Sequence, residues 1–150
     1  MKVSTPHAVL TLPDGWVDES IVQFASPPRS EVVGDVAASR SRSVMTIVRL
    51  RNAPPPSDVM AKQLEGLKVQ LPDLVIHGQL LWQHPRYGDA PALDCSHAVA
   101  PGQVTRQVYL VVSDGAKTTV CVTFSCEVRA FERSVLEFRH AFESLELVPG

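Results

Sequence analysis

Five histidines and three cysteines are the residues of this chain best suited to chemistry, and their spacing decides what chemistry is open to them. Cys95 and His97 lie two apart, so on a strand they share a face and could begin a metal shell or a thiol–imidazole pair. Nothing nearby completes either. His7, His77, His84, His97 and His140 form no H-x-x-x-H pair, Cys95, Cys121 and Cys126 form no C-x-x-C pair, and no carboxylate cluster supplies further ligands. Asp94 adjoins Cys95, but adjacent strand residues point to opposite faces, so Asp94 is badly placed to orient a base used by that thiol. There is no G-x-S-x-G, phosphate loop or dinucleotide fingerprint. Packing roles are the simpler account of these histidines. An enzyme or metal protein ranks well behind a binding domain, and no catalytic residue, metal or cofactor is expected.

Composition narrows the partners. With 14 basic and 16 acidic side chains the net charge is -2, so no positive field favours a phosphate backbone or anionic lipid, and nucleic acid is not an expected partner. At 150 residues and 45% hydrophobic content, residues 1–150 read as a single domain able to bury a core without disulfides. An odd cysteine count without a C-x-x-C pair fits a reducing compartment. Met-Lys-Val-Ser-Thr-Pro-His lacks a basic region leading into an apolar run, and no stretch approaches the roughly 20 apolar residues of a membrane span. The expectation is a cytoplasmic protein that does not itself insert into a membrane.

The elements that must position any site follow from periodicity. Strands are predicted at Ala8 to Leu12, Glu19 to Ala25, Val44 to Leu50, Leu74 to His84, Pro91 to Val99, Thr105 to Val112 and Thr118 to Cys126. Pro13-Asp14-Gly15-Trp16 suits a turn joining the first two as a hairpin, and Ser113-Asp114-Gly115 a second hairpin turn. The segments Pro27 to Ser43, with Arg29, Arg40 and Arg42, and Pro54-Pro55-Pro56 read as loops. Ser57 is a candidate cap for a helix whose stripe is Met60, Leu64, Leu67 and Leu71, stopped by Pro72. A second helix from about Ala130 to Ser144 carries Phe131, Val135, Phe138 and Phe142. Short-linked strands with the helices outside that run imply an α+β domain, an antiparallel sheet of six or seven strands flanked by two helices. Trp16 and Trp82 are expected core anchors.

The sheet should have two unlike faces. Val120, Val122 and Phe124 alternate with Thr119, Cys121, Thr123 and Ser125, so one face is core. The other collects Ile21, Gln23, Val44, Thr46, Val48, Gln107, Tyr109, Val111, Cys121 and Thr123, nearly devoid of charge. Two accounts fit. A helix, the long loop or a second copy of the chain covers that face, or it is a semi-apolar groove for another chain's apolar segment, with Gln, Thr, Tyr and Ser to satisfy that segment's few polar groups.

Leu12-Pro13-Asp14-Gly15-Trp16-Val17-Asp18-Glu19-Ser20-Ile21 resembles the opening signature of the family containing the DcrB lipoproteins and the Eag chaperones of type VI secretion effectors. Ala61-Lys62-Gln63-Leu64-Glu65, Gln70-Leu71-Pro72 and Arg106-Gln107-Val108-Tyr109 are similar to later family motifs, so that the likeness covers nearly the whole chain. The resemblance implies a PsbP-like α/β/α sandwich. For the Eag branch, which the absence of a signal peptide favours, it implies a homodimeric chaperone that shields N-terminal transmembrane helices of a PAAR- or Rhs-containing effector in a concave sheet groove. Family aliphatic residues on the second strand line that groove, which carries over to Ile21, whereas Gln23 departs from the pattern and makes the groove wetter. The expected client-binding residues are Ile21, Gln23, Val44, Thr46, Val48, Gln107, Tyr109, Cys121 and Thr123. The alternative is a general protein-interaction domain of the same fold with a soluble partner.

Overall fold

A computed structural model describes residues 2–4, 9–11, 21–25, 43–115 and 118–148. In chain order its elements are β1 (Lys2–Ser4), β2 (Val9–Thr11), β3 (Ile21–Ala25), β4 (Val44–Leu50), α1 (Pro56–Gln70), β5 (Val75–His84), β6 (Gly88–Ala100), β7 (Gln103–Ser113), β8 (Thr119–Glu127), a 3-10 turn (Val128–Ala130) and α2 (Phe131–Ser144). The fold is α+β, as expected. A six-stranded sheet runs in the order β3-β4-β8-β7-β6-β5 with every neighbouring pair antiparallel.

The first expected hairpin is different. β2 pairs with a short strand the sequence did not signal, β1, in a separate two-stranded sheet, while β3 pairs with β4. The turn at Pro13-Asp14-Gly15-Trp16, the Trp16 ring, the loop after Pro27 up to residue 42, and His7 lie outside the described residues. The cap of α1 also differs, because Pro56 occupies the first helical position, where a preset φ and a missing N–H cost nothing. The Pro55 carbonyl then accepts the Asp58 and Val59 N–H groups at 2.9 and 3.2 Å, and Ser57 falls inside the first turn without capping it.

Why the remaining strands form is legible from their turns. Pro101-Gly102 joins β6 to β7 with Gly102 at φ 74°, a left-handed backbone that a side chain would strain. Between β5 and β6, His84 Nδ1 accepts the backbone N–H groups of Arg86 and Tyr87 at 3.0 and 3.1 Å, so a buried imidazole caps the turn. The Tyr87 hydroxyl accepts the Leu147 N–H at 2.7 Å and ties down the segment after α2.

α1 and α2 lie on opposite faces of the sheet. α2 packs on the face formed by Trp82, Ala92, Val108, Leu110, Val112, Val122 and Phe124. Phe138 stacks on Phe124 with centroids 4.6 Å apart, and Phe142 meets the Trp82 ring edge-on at 5.6 Å. Trp82 is thus the core anchor expected of it, with the Arg139 guanidinium 4.4 Å above its ring. The beginning of α2 is held by Arg106, which binds Asp94 through two hydrogen bonds at 2.9 and 2.7 Å and lies 3.8 Å over the Phe131 ring. Buried Ser134 shares a 3.0 Å hydrogen bond with Ser43 at the start of β4. α1 lies on the other face, where Met60 and Leu67 bury against Leu93 and Val111.

Because Phe124 is 1% exposed and stacked between strand and helix, Phe124→Ala leaves a cavity and should cost about 3–5 kcal/mol in urea denaturation. Leu136→Ala, on the exposed side of α2, should stay within about 0.5 kcal/mol of wild type. Equal losses in the two variants would contradict this assignment of the core.

Candidate functional site

Strand register, not sequence distance, assembles the candidate site. One row crosses the sheet as Gln23, Thr46, Thr123, Tyr109, Leu93 and Gln79, each paired with the next on the neighbouring strand. The row beside it runs Ala25, Val44, Ser125, Gln107, Cys95 and Ile76. A third runs Ile21, Val48, Cys121 and Val111. All nine residues expected from the sequence occupy these three rows, and no position in the rows is charged. Since alternate residues share a face, this is the face on which Leu93 and Val111 meet α1.

α1 does not cover the rows evenly. Its buried side chains sit over Leu93 and Val111, and Tyr109 and Cys121 pack against that cluster as half-buried margins. Val44, Thr46 and Val48 on β4, Thr123 and Ser125 on β8, and Gln107 on β7 are half-buried, and neither Val44 nor Val48 packs against that cluster, while Gln23 is exposed. The face therefore divides into an α1-covered part over β6 and β7 and a second part over β3, β4 and β8. Tyr109 and Cys121 mark the line between them.

The polar groups of the second part are few and oriented. The Tyr109 hydroxyl donates to Gln107 Oε1 at 2.7 Å, which fixes the amide and leaves its two N–H donors for another acceptor. Burial, and secondarily the nearby Cys95, pushes the Tyr109 hydroxyl up to about 12, so it remains a donor at any physiological pH. Burial, with Asp94 adding to it, pushes the Cys95 thiol to about 11, and burial alone raises Cys121. Such thiols are poor nucleophiles, because the thiolate is the reactive form. Ser125 belongs to the same rows and was readable from the alternation Cys121, Thr123, Ser125, although it was not among the expected site residues.

The residues first weighed for chemistry are dispersed. Asp94 turns to the α2 face to pair with Arg106, while Cys95 lies on the α1 face beside Tyr109, as alternation requires. His77 Nε2 bonds Ser96 Oγ at 2.8 Å, and His84 is committed to its turn. Among the described residues, no three His, Cys, Asp or Glu side chains gather as a metal shell, and no helix is long and apolar enough to cross a membrane.

No protein-family model matches the sequence, and no curated protein matches it. Among solved structures, a Pseudomonas aeruginosa protein of unknown function described as a putative regulator is similar with a TM-score of 0.73. The similarity covers 100% of this chain and 98% of that one at 20% sequence identity, a level that shows a shared fold and nothing more.

The raised thiol and phenol set a pH dependence. A neutral group whose folded pKa lies above its unfolded value stabilises the fold fully below the unfolded value and loses that contribution as pH rises toward the folded one. For Cys95 this window runs from 9.0 to about 11, and for Tyr109 from 10.0 to about 12. Urea midpoints should therefore fall between about pH 9 and about pH 12, and Cys95→Ala should flatten the fall over the lower part of that range. An unchanged slope in that variant would contradict the assignment to Cys95.

Proposed function

We propose that this chain is a cytoplasmic chaperone or adaptor that shelters the N-terminal transmembrane helices of a type VI secretion effector against the β3-β4-β8 part of its sheet. The observation that carries the reading is the uncharged set of rows, in which Thr46, Thr123, Ser125 and Gln107 punctuate Val44 and Val48, two valines that do not pack against the α1 cluster. Three strands span about 10 Å between the outer two, which is the width of one helix with its side chains. A helix of ~20 residues taken from a bilayer into water exposes apolar surface, and covering on the order of 1,000 Å² of it offsets roughly 25 kcal/mol of hydration cost before association costs are subtracted.

The mixture of side chains suits temporary custody. Valines contribute contact area, while the Gln107 amide and the threonine hydroxyls engage backbone carbonyls or polar side chains that a membrane helix carries. Lipid later competes for the same apolar surface. The sequence likeness to the Eag chaperones supports the same reading, since its Arg106-Gln107-Val108-Tyr109 motif falls on the strand that supplies Gln107 and Tyr109.

Co-expression with a candidate effector fragment tests it. Thr46→Asp and Thr123→Asp place a carboxylate in the middle of the rows, and each should lower soluble effector at least about tenfold, since a buried unpaired charge costs several kcal/mol, while circular dichroism stays that of wild type. Unchanged effector solubility with both variants overturns the proposal. Equal binding of an effector fragment stripped of its apolar helices points instead to a soluble partner.

A further inference from the structure

His84, at the end of β5, is 3% exposed and serves two purposes at once. Its ring packs 4.7 Å from the Tyr87 ring and meets Phe142 edge-on at 5.1 Å, while its Nδ1 accepts the Arg86 and Tyr87 N–H groups. A ring nitrogen that accepts carries no proton, so the imidazole is neutral and its proton sits on Nε2. That Nε2–H is buried and has no partner among the described residues. Asn or Asp would cap the turn without stranding a donor, and Phe would fill the space. What histidine adds to capping and packing is a second protonation state close to neutral pH.

A second proton has one place to go. It must bind Nδ1, where the ring would then present an N–H to two N–H groups that already point at it. The imidazolium and the closed turn therefore exclude each other. Arg86 lies over the Tyr87 ring at 5.8 Å and Arg139 over Trp82 at 4.4 Å, and Asp89, His140, Glu143 and Glu146 on the neighbouring elements are exposed. None of these side chains bonds the imidazole, so no carboxylate offsets a charge on it.

The turn carries a longer connection with it. The Tyr87 hydroxyl accepts the Leu147 N–H at 2.7 Å across 60 residues of chain, and Leu145 and Leu147 pack on the core that holds Trp82 and Phe142. We infer that His84 is a pH-sensitive latch. Neutral, it holds the turn between β5 and β6 and, through Tyr87, the segment after α2 against the core. Charged, it opens the turn, lets that segment lift and bares the apolar end of the α2 face around Trp82. An imidazole in water takes up a proton near about pH 6.5, so below that value the open form gains a proton that the closed form cannot hold. Moving from about pH 7.5 to about pH 5 therefore favours opening about thirtyfold, and the tie is complete above this range and lost as pH falls. The latch lies on the face opposite the β3-β4-β8 rows and is independent of the proposed client.

Amide hydrogen exchange on the full chain, read as protection relative to the intrinsic rate at each pH, tests the latch. The Arg86, Tyr87 and Leu147 amides should lose about thirtyfold in protection between about pH 7.5 and about pH 5, while the amides of β7 and β8 keep theirs. His84→Asn caps through an amide oxygen that takes up no proton in this range, so its protection at these three amides should be the same at both pH values. Unchanged protection in the wild type at about pH 5 overturns the proposal. An equal loss in His84→Asn, or a fall shared by β7 and β8, does the same. If the Asn variant does not fold, imidazole nitrogen spectra of the wild type decide. Charging of His84 that coincides with loss of Leu147 protection supports the latch, and a charged His84 beside a protected Leu147 amide contradicts it.

Discussion

A helix is narrower than this sheet, and the rest of the arrangement follows from that mismatch. Six strands at 4.8 Å spacing reach about 24 Å from the first axis to the last, whereas a helix with its side chains is about 10–12 Å across. α1 therefore covers about two strands of its face and settles where Leu93 and Val111 offer the largest apolar contact. What it leaves is not charged, as an ordinary solvated face would be, but a set of Val, Thr, Ser and Gln. On the opposite face, α2 is supplemented by Leu145 and Leu147, so that side closes as a conventional core.

The two faces are kept distinct by where polar groups are spent. On the α2 side, Arg106 is fully engaged by Asp94 and Phe131, and Ser134 by Ser43, so these groups lock layers together and have little left for a ligand. On the α1 side, the Tyr109 hydroxyl holds the Gln107 amide oxygen and leaves the amide N–H groups for another acceptor. A charge there would have to be stripped of water by any apolar occupant, at a cost of several kcal/mol, which is the physical reason an apolar-binding surface does without one.

Much of this was legible in the sequence because it rests on short-range periodicity. Val120, Val122 and Phe124 against Cys121, Thr123 and Ser125 defined the two faces, and Met60, Leu64 and Leu67 defined the inner stripe of α1. Strand limits for Val44–Leu50 agree to the residue. What periodicity cannot carry is pairing. β1 escaped notice because three residues show too little alternation, and β2 was given to β3 because adjacency suggested a hairpin. The position of α1 was illegible too, since a stripe says that a helix covers something but not which strands, and so Tyr109 and Cys121 could not be told apart from Thr46 and Thr123 as neighbours of that helix. The exposure of Leu80 and Leu81 went unread for the same reason, since only the sheet order places their strand at an edge.

The central claim is that a foreign apolar helix lies on the rows over β3, β4 and β8. Photo-crosslinking reads this position directly, with a photoreactive residue placed in turn at Thr46, Thr123 and Leu136 and an effector fragment bearing its apolar helices as the partner. The account predicts crosslinks from positions 46 and 123 that map to the apolar helices, and none from position 136 on the outer side of α2. Crosslinks from position 136 alone, or crosslinks from 46 and 123 that map only to the effector's soluble part, would contradict it.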